Sequence, residues 1–268
     1  MRLSVTAPWP IARRIEREWR RLATGLCFAS FGLLALTFGL LICPVIVLLV
    51  RDAHGRAQVL QRWLGRGMRL FLAQMRAMGV LTCSVEGAEG LARPGTLVIA
   101  NHPSLIDVVL LMGTGGGMTC VAKTGLFHNR VLGMAVRALG FVDNLHPLRM
   151  VEACVDALGA GGRVLAFPEG SRTVPGCAPV LQRGAAVIAV RAACPVVPVT
   201  IRVSEPTLFK GARWFDVPRR RPHFSVVVHP PLEAGRFVAE HVNQAVAARR
   251  LNEWLQQFFT QEMRRGSA

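Results

Sequence analysis

The residue best placed to do chemistry is His102. It follows the apolar run Thr96-Leu97-Val98-Ile99-Ala100, and Asp107 lies five residues beyond it, across Pro103. Of the seven histidines, only His102 has a carboxylate at that distance. An imidazole, with a pKa of about 6.5, can take the proton of a hydroxyl, and a carboxylate behind it fixes the tautomer and steadies the imidazolium. On a continuous helix that spacing would put the two side chains about 140° apart. His102 must therefore precede a helix, with Asp107 in its first turn. Pro103 fits, since it disfavours helical geometry at the residue before it and tolerates a helix start after it. Ser104 and Asp107 also have the spacing of a capping box, so a purely structural reading of Asp107 stays open.

A second polar segment, Pro168-Glu169-Gly170-Ser171-Arg172-Thr173, follows the apolar run Val164 to Phe167. Gly170 permits unusual dihedrals or close ligand approach. Arg172 offers a planar fork of donors for phosphate oxygens, and Ser171 adds a hydroxyl. Glu169 would hold a substrate hydroxyl or pin Arg172. Lys123, after the run 118–122, is a candidate phosphate contact. An ordinary surface turn for the first segment and a solvated charge for Lys123 are the plainer alternatives. A base with its acid, beside a fixed cation, suits the transfer of an acyl group to a phosphate-bearing alcohol. Gly113-Thr114-Gly115-Gly116-Gly117 follows a helical run, so it reads as a flexible turn and not a nucleotide loop.

These groups need a scaffold. Strand-like runs occur at 81–86, 96–100, 118–122, 163–167, 195–203 and 223–229, with helical runs at 104–113, 128–139, 149–160 and 180–193 and a closing helix at 237–263. That rhythm predicts an α/β fold with a mixed, largely parallel sheet flanked by helices. Residues 1–79 read as a separate N-terminal unit of membrane-anchoring and amphipathic helices, and 80–268 as the α/β domain. Ala23 to Val50 gives 28 uncharged, mostly apolar residues. As one helix they would run about 42 Å, against a bilayer core of about 30 Å. Arginines flank both ends, and Pro44 lies inside. A re-entrant or tightly bent pair and a tilted single span both fit, and either holds the protein at a membrane. Residues 57–78 carry Leu60, Trp63, Leu64, Phe71, Met75 and Met78 at helical spacing, as an interfacial or core-facing amphipathic helix would.

The chain has 32 Lys+Arg against 16 Asp+Glu, a net charge of +16, and only two of the cations are lysines. Such an excess points to an anionic partner, lipid or nucleic acid. Tyrosine is absent, and no zinc-finger, RRM or helix-turn-helix signature is found, which disfavours nucleic acid. The segment Pro218 to Pro222, with Arg219, Arg220 and Arg221, reads as a solvated basic loop or a contact for anionic head groups. Seven scattered cysteines without a C-x-x-C pair read as reduced thiols of a cytoplasmic compartment.

Three motifs in order carry a family resemblance. Asn101-His102-Pro103-Ser104-Leu105-Ile106-Asp107 resembles the H-x4-D motif of the glycerolipid acyltransferases, the lysophosphatidate acyltransferase group. Phe167-Pro168-Glu169-Gly170-Ser171-Arg172-Thr173 resembles their F-P-E-G-T/S-R motif, and Val196-Val197-Pro198-Val199-Thr200-Ile201 is similar to their V-x-P-V-x-I strand. The likeness spans roughly residues 80–230. It implies that His102, oriented by Asp107, deprotonates a glycerol hydroxyl, which attacks the thioester of acyl-carrier protein or acyl-CoA. Glu169, Gly170, Ser171 and Arg172 would bind a lysophospholipid acceptor such as 1-acylglycerol-3-phosphate. No metal or cofactor beyond the acyl donor is implied. The expected setting is the bacterial inner membrane, with the catalytic domain facing the cytoplasm. One departure is Gly140-Phe141-Val142-Asp143-Asn144, which places asparagine where the family carries arginine; Arg149 is the nearest arginine downstream. A thioesterase and a non-enzymatic basic membrane scaffold are the competing readings.

Overall fold

The computed structural model describes residues 10–240 and 243–265. The first nine residues of the N-terminal segment, and residues 241–242 within the expected closing helix, lie outside the described residues.

The strands form one mixed sheet. They are β1 (Thr82–Glu86), β2 (Leu97–Ala100), β3 (Thr119–Ala122), β4 (Val142–Asp143), β5 (Val164–Ala166), β6 (Pro195–Val203), β7 (His223–Val228) and β8 (Leu232–Glu233). Their order is β1-β7-β6-β2-β5-β3-β4, with β8 paired to β6. From β6 through β2, β5 and β3 to β4 all pairings are parallel, while β7 runs antiparallel to β6 and carries β1 parallel to itself. The two-residue strands β4 and β8 have no sequence run of their own and extend the expected set.

Both faces of the sheet are covered. Along β2, Val98 and Ala100 pack into one apolar core, and Leu97 and Ile99 into the other. This is the period-two alternation of a strand buried on both sides. The second core is closed by α7 (Pro147–Gly159), α8 (Gly184–Ala192) and α10 (Gln244–Arg265). The expected closing helix is thus two pieces, the short α9 (Gly235–Glu240) preceding α10.

The first core is closed by α4 (Asp107–Gly115) and by an N-terminal pair. In that pair α1 (Pro10–Thr37) continues through a π-turn (Phe38–Ile42) into α2 (Cys43–Leu49), and α3 (Ala53–Ala77) returns along it. Phe31 of α1 meets Phe71 of α3 with ring centroids 5.0 Å apart, and Ser30 donates to Gln74 Oε1 at 3.0 Å. Asp52 caps α3 by accepting from the Gly55 N–H. Ala12–Leu49 is one continuous helical stretch, long and apolar enough to cross a membrane by length and composition. The tightly bent pair expected inside 23–50 is therefore not formed. Pro44 lacks an N–H and its ring would strike the carbonyl four residues back. The π-turn just before it widens the helix there, so the chain accommodates the proline without reversing.

Short helices α5 (Thr124–Phe127) and α6 (Gly133–Ala138) follow β3, replacing the single helix expected at 128–139. The glycine run at the end of α4 is not a loose turn, and its first three residues belong to the helix. A Cβ on Gly117 would lie 2.9 Å from Gln61, and Arg163 donates to the carbonyls of Gly115 and Gly117, so the glycines let α3 and α4 approach closely.

Candidate active site

Because β2, β5, β3 and β4 are parallel neighbours, the loops after them open at one edge of the sheet, the usual place for a ligand site in α/β folds. The β2 loop carries His102, and the adjacent β5 loop carries Glu169 to Arg172. Lys123 follows β3, two strands from β2, about 10 Å away at the usual strand spacing.

His102 sits just before α4, and Asp107 is its first residue. His102 Nδ1 lies 2.8 Å from Asp107 Oδ2. The same oxygen accepts the Ser104 N–H at 2.7 Å. Asp107 thus both caps the turn and orients the imidazole, so both readings of it hold structurally. The reciprocal arm of a capping box is absent: the Asp107 N–H donates to Ser104 O at 3.4 Å rather than to the Ser104 hydroxyl, which itself donates to Thr207 O at 2.9 Å. Asp107 is fully buried, and its other oxygen, Oδ1, has no partner among the described residues. Burial pushes its carboxyl up from 3.8 to about 6, against the opposing pull of the His102 hydrogen bond. Phe167 stacks on the imidazole at 4.2 Å between centroids and 26° between planes. With Nδ1 committed and one face covered, Nε2 is the ring atom left for a substrate proton.

The β5 loop differs from its sequence reading. Glu169 Oε1 accepts the His102 N–H at 2.8 Å, and both carboxylate oxygens lie within 3.0 Å of the Thr173 hydroxyl. The carboxylate faces the histidine loop rather than Arg172. Burial raises its pKa, while the Thr173 and His102 hydrogen bonds oppose the shift. Gly170 has φ +67 and a Cβ there would lie 2.9 Å from Gln182, so the turn requires glycine. Ser171 is half-buried beside it. Arg172 Nη1 donates to Leu208 O at 2.6 Å and Phe209 O at 3.1 Å. Part of its donor fork is therefore committed to backbone carbonyls. Lys123 is exposed at the N-cap of α5, and its ammonium has no partner among the described residues. Asn144 closes the neighbouring turn, its Oδ1 3.3 Å from the Thr124 N–H. Arg149 is exposed in the first turn of α7.

Three contributors were not singled out from sequence. Phe167 and Thr173 are motif residues whose contacts only the fold defines. The third is the part that the strap 204–222 between β6 and β7 plays at the site, since sequence marked only its basic end at 218–222. Its Leu208 is buried with φ +50, an uncommon left-handed geometry for such a residue, and its carbonyl accepts from both Leu105 N–H and Arg172. Farther along, Arg17, Arg20 and Arg21 of α1 donate to strap carbonyls at Val217, Pro218, Arg219 and Phe215. Arg221 donates back to Arg76 O and Leu81 O. The basic loop 218–222 is thus partly structural rather than a plain solvated charge run.

An apolar cavity of about 550 Å³ lies between the N-terminal helices and the domain, and its lining reaches Leu105 and Ile106 of the segment between His102 and Asp107. Leu105, Ile106, Val109 and Met112, which follow His102 directly, form one wall; Phe31 and Phe38 belong to the other. Its walls are almost wholly apolar, with Arg66 the one charged lining residue.

Fold and site define a class: an α/β domain that presents a buried aspartate behind a histidine at the carboxyl edge of a mixed sheet. The sequence model of the Acyltransferase family matches residues 82–202 of this chain, which hold both the histidine and the β5 loop. It is 27% identical over 176 residues to the chloroplastic 1-acyl-sn-glycerol-3-phosphate acyltransferase BAT2 of Brassica napus, covering 59% of this chain and 50% of that one. With the 1-acyl-sn-glycerol-3-phosphate acyltransferase of Pseudomonas aeruginosa it shares 26% over 200 residues, 71% of this chain and 74% of the relative. The chain spans about half the length of the plant and algal relatives it matches. In three dimensions it is similar to the crystal structure of the 1-acyl-sn-glycerophosphate acyltransferase PlsC of Thermotoga maritima. The TM-score is 0.70 at 22% identity, over 92% of this chain and 98% of that one.

Proposed function

We propose that the protein transfers a fatty acyl group from an acyl thioester to the free hydroxyl of a lysophospholipid such as 1-acylglycerol-3-phosphate. The observation that carries this reading is the His102–Asp107 pair, with Leu105 and Ile106 between them lining an apolar cavity. Nε2 of His102 takes the hydroxyl proton as the oxygen attacks the thioester carbonyl. The tetrahedral intermediate collapses with cleavage of the C–S bond, and the imidazolium returns its proton to the departing thiolate. Asp107 holds Nδ1–H throughout and stabilises the transient positive charge. Lys123 and the uncommitted donors of Arg172 supply positive charge for the acceptor head group, while Glu169 takes another role. The cavity receives an acyl chain, which favours this reading over a scaffold. Acyl-carrier protein and acyl-CoA are both suitable donors.

The membrane contact belongs to α1 and α2. Leu26, Leu33, Leu36, Leu40 and Leu48 are exposed along the face turned away from the domain, while Ala23, Cys27, Phe38 and Cys43 are buried against it. A helix with one wall on protein and an apolar stripe outward suits a bilayer surface, here the cytoplasmic leaflet of the inner membrane.

The test is transfer of a labelled acyl group to lysophospholipid in vesicles, by wild type and His102→Ala. Loss of transfer with vesicle binding intact is expected. Full activity in the variant would remove the mechanism, and thioester consumption without an acceptor would favour a thioesterase.

A further inference from the structure

His102 stands on a loop, between the end of β2 and a proline. The neighbouring loop grips this residue at three points. The N–H of His102 donates to Glu169 Oε1 at 2.8 Å. Its carbonyl accepts the Thr173 N–H at 2.7 Å. Its ring face lies on Phe167 at 4.2 Å. The Thr173 hydroxyl closes the device on the Glu169 carboxylate, 2.7 Å from Oε2 and 3.0 Å from Oε1. Both peptide planes flanking the histidine Cα are therefore tied to the segment 167–173.

Granted that His102 is the base, we infer that Glu169 and Thr173 are positioning residues that clamp its backbone, rather than ligands of the acceptor. The hydrogen-bond count supports this division. One Glu169 oxygen takes the backbone N–H and the other takes the Thr173 hydroxyl, so the side chain is committed before any substrate arrives. A peptide N–H needs an acceptor and not a negative charge, so an amide at position 169 meets the same requirement. Its NH₂ then donates to the Thr173 hydroxyl, which reverses its role. A carboxylate holding a substrate hydroxyl or acting as a base does not survive that exchange unchanged. Misplacing a catalytic group by about 1 Å costs about 10²-fold in rate, and this sets the expected size of the effect.

The experiment measures kcat and acceptor KM for wild type, Glu169→Gln, Glu169→Ala, Thr173→Ser and Thr173→Val. The low-field Nδ1–H resonance of His102 is followed in parallel, assigned by its loss in His102→Ala. Glu169→Gln and Thr173→Ser are expected within about fivefold of wild-type kcat. Glu169→Ala is expected to lose about 10²-fold in kcat with acceptor KM within about twofold. Thr173→Val, which keeps the backbone bond, should fall about tenfold. If Glu169→Gln loses as much as Glu169→Ala, or raises acceptor KM at unchanged kcat, the clamp is overturned and Glu169 is an acceptor ligand. Should Glu169→Ala fail to fold, the Thr173 pair carries the same decision. Absence of transfer by wild type would overturn the catalytic reading alone. The resonance then decides the clamp: retained in Glu169→Gln and lost in Glu169→Ala or Thr173→Val supports it, and retained in every position-169 and position-173 variant refutes it.

Discussion

The loop edge of the sheet and the N-terminal helical layer meet across one cavity, yet they are built on opposite terms. At the loop edge one oxygen of a buried carboxylate is left without a partner among the described residues, while the groups around the histidine are matched to neighbours in the adjoining loops. In the helical layer apolar side chains stand exposed along α1 and α2, while three arginines of α1 reach inward to strap carbonyls. Charge is thus a poor guide to ligand contact in this chain. Arg20 is almost completely buried, and Arg172 is half spent on carbonyls. Burial and hydrogen-bond partners separate the working cations from the structural ones.

The contrast is sharpest at the His102–Asp107 pair, where the largest effects are expected. His102→Ala should lower transfer by about 10³- to 10⁴-fold, measured with labelled acyl donor. Asp107→Asn should lose about 10²-fold or more in kcat and gain stability at neutral pH. The folded carboxyl is raised to about 6 from 3.8, so its favourable contribution is complete below 3.8 and disappears as pH rises through 6. Denaturant titrations at pH 4 and pH 8 should show the variant ahead of wild type only at the higher pH, by about 1–3 kcal/mol. Equal gains at both pH values would mean that Asp107 is not a strained anion. Activity should decline as pH falls through about 6, in step with protonation of the same group.

Replacing Leu33, Leu40 and Leu48 together by serine removes apolar area from the exposed stripe. Vesicle co-sedimentation should weaken by about 10²-fold or more, with turnover on detergent-dispersed acceptor retained. Unchanged binding would sever the helical layer from the membrane. Ala135→Phe, at a buried position lining the cavity, should move the preferred acyl chain several carbons shorter in a donor competition. The smallest effect is expected from Arg20→Met. It should cost about 1–3 kcal/mol in denaturant unfolding while leaving the salt dependence of vesicle binding unaltered.

Much of this arrangement was legible before any coordinates. The strand at 195–203 is observed with those bounds, and the placement of His102 before a helix with Asp107 in its first turn followed from their spacing, with Pro103 in support. What stayed hidden has one physical origin: a sequence names a side chain but not the atom it meets. Glu169 reads as a substrate ligand because nothing local says that the N–H of a residue 67 positions upstream needs an acceptor. Phe167 reads as strand and Thr173 as turn. The strap's partners in α1 are 194–200 residues away, beyond any periodicity or cap signal. The non-helical Asn243 ahead of α10 and the two-residue strands are too short to leave a pattern.

Those long-range arginine contacts bear on the order of events at the ribosome. At about 5–20 residues per second, the carbonyls that Arg17, Arg20 and Arg21 serve emerge about 10–40 seconds after the helix itself. During that interval the nascent helix has α3 beside it but no strap for its arginines, and on the proposed seat lipid covers its outward leucines. Biogenesis would then begin at the bilayer, with the catalytic half assembled against a helix already moored there.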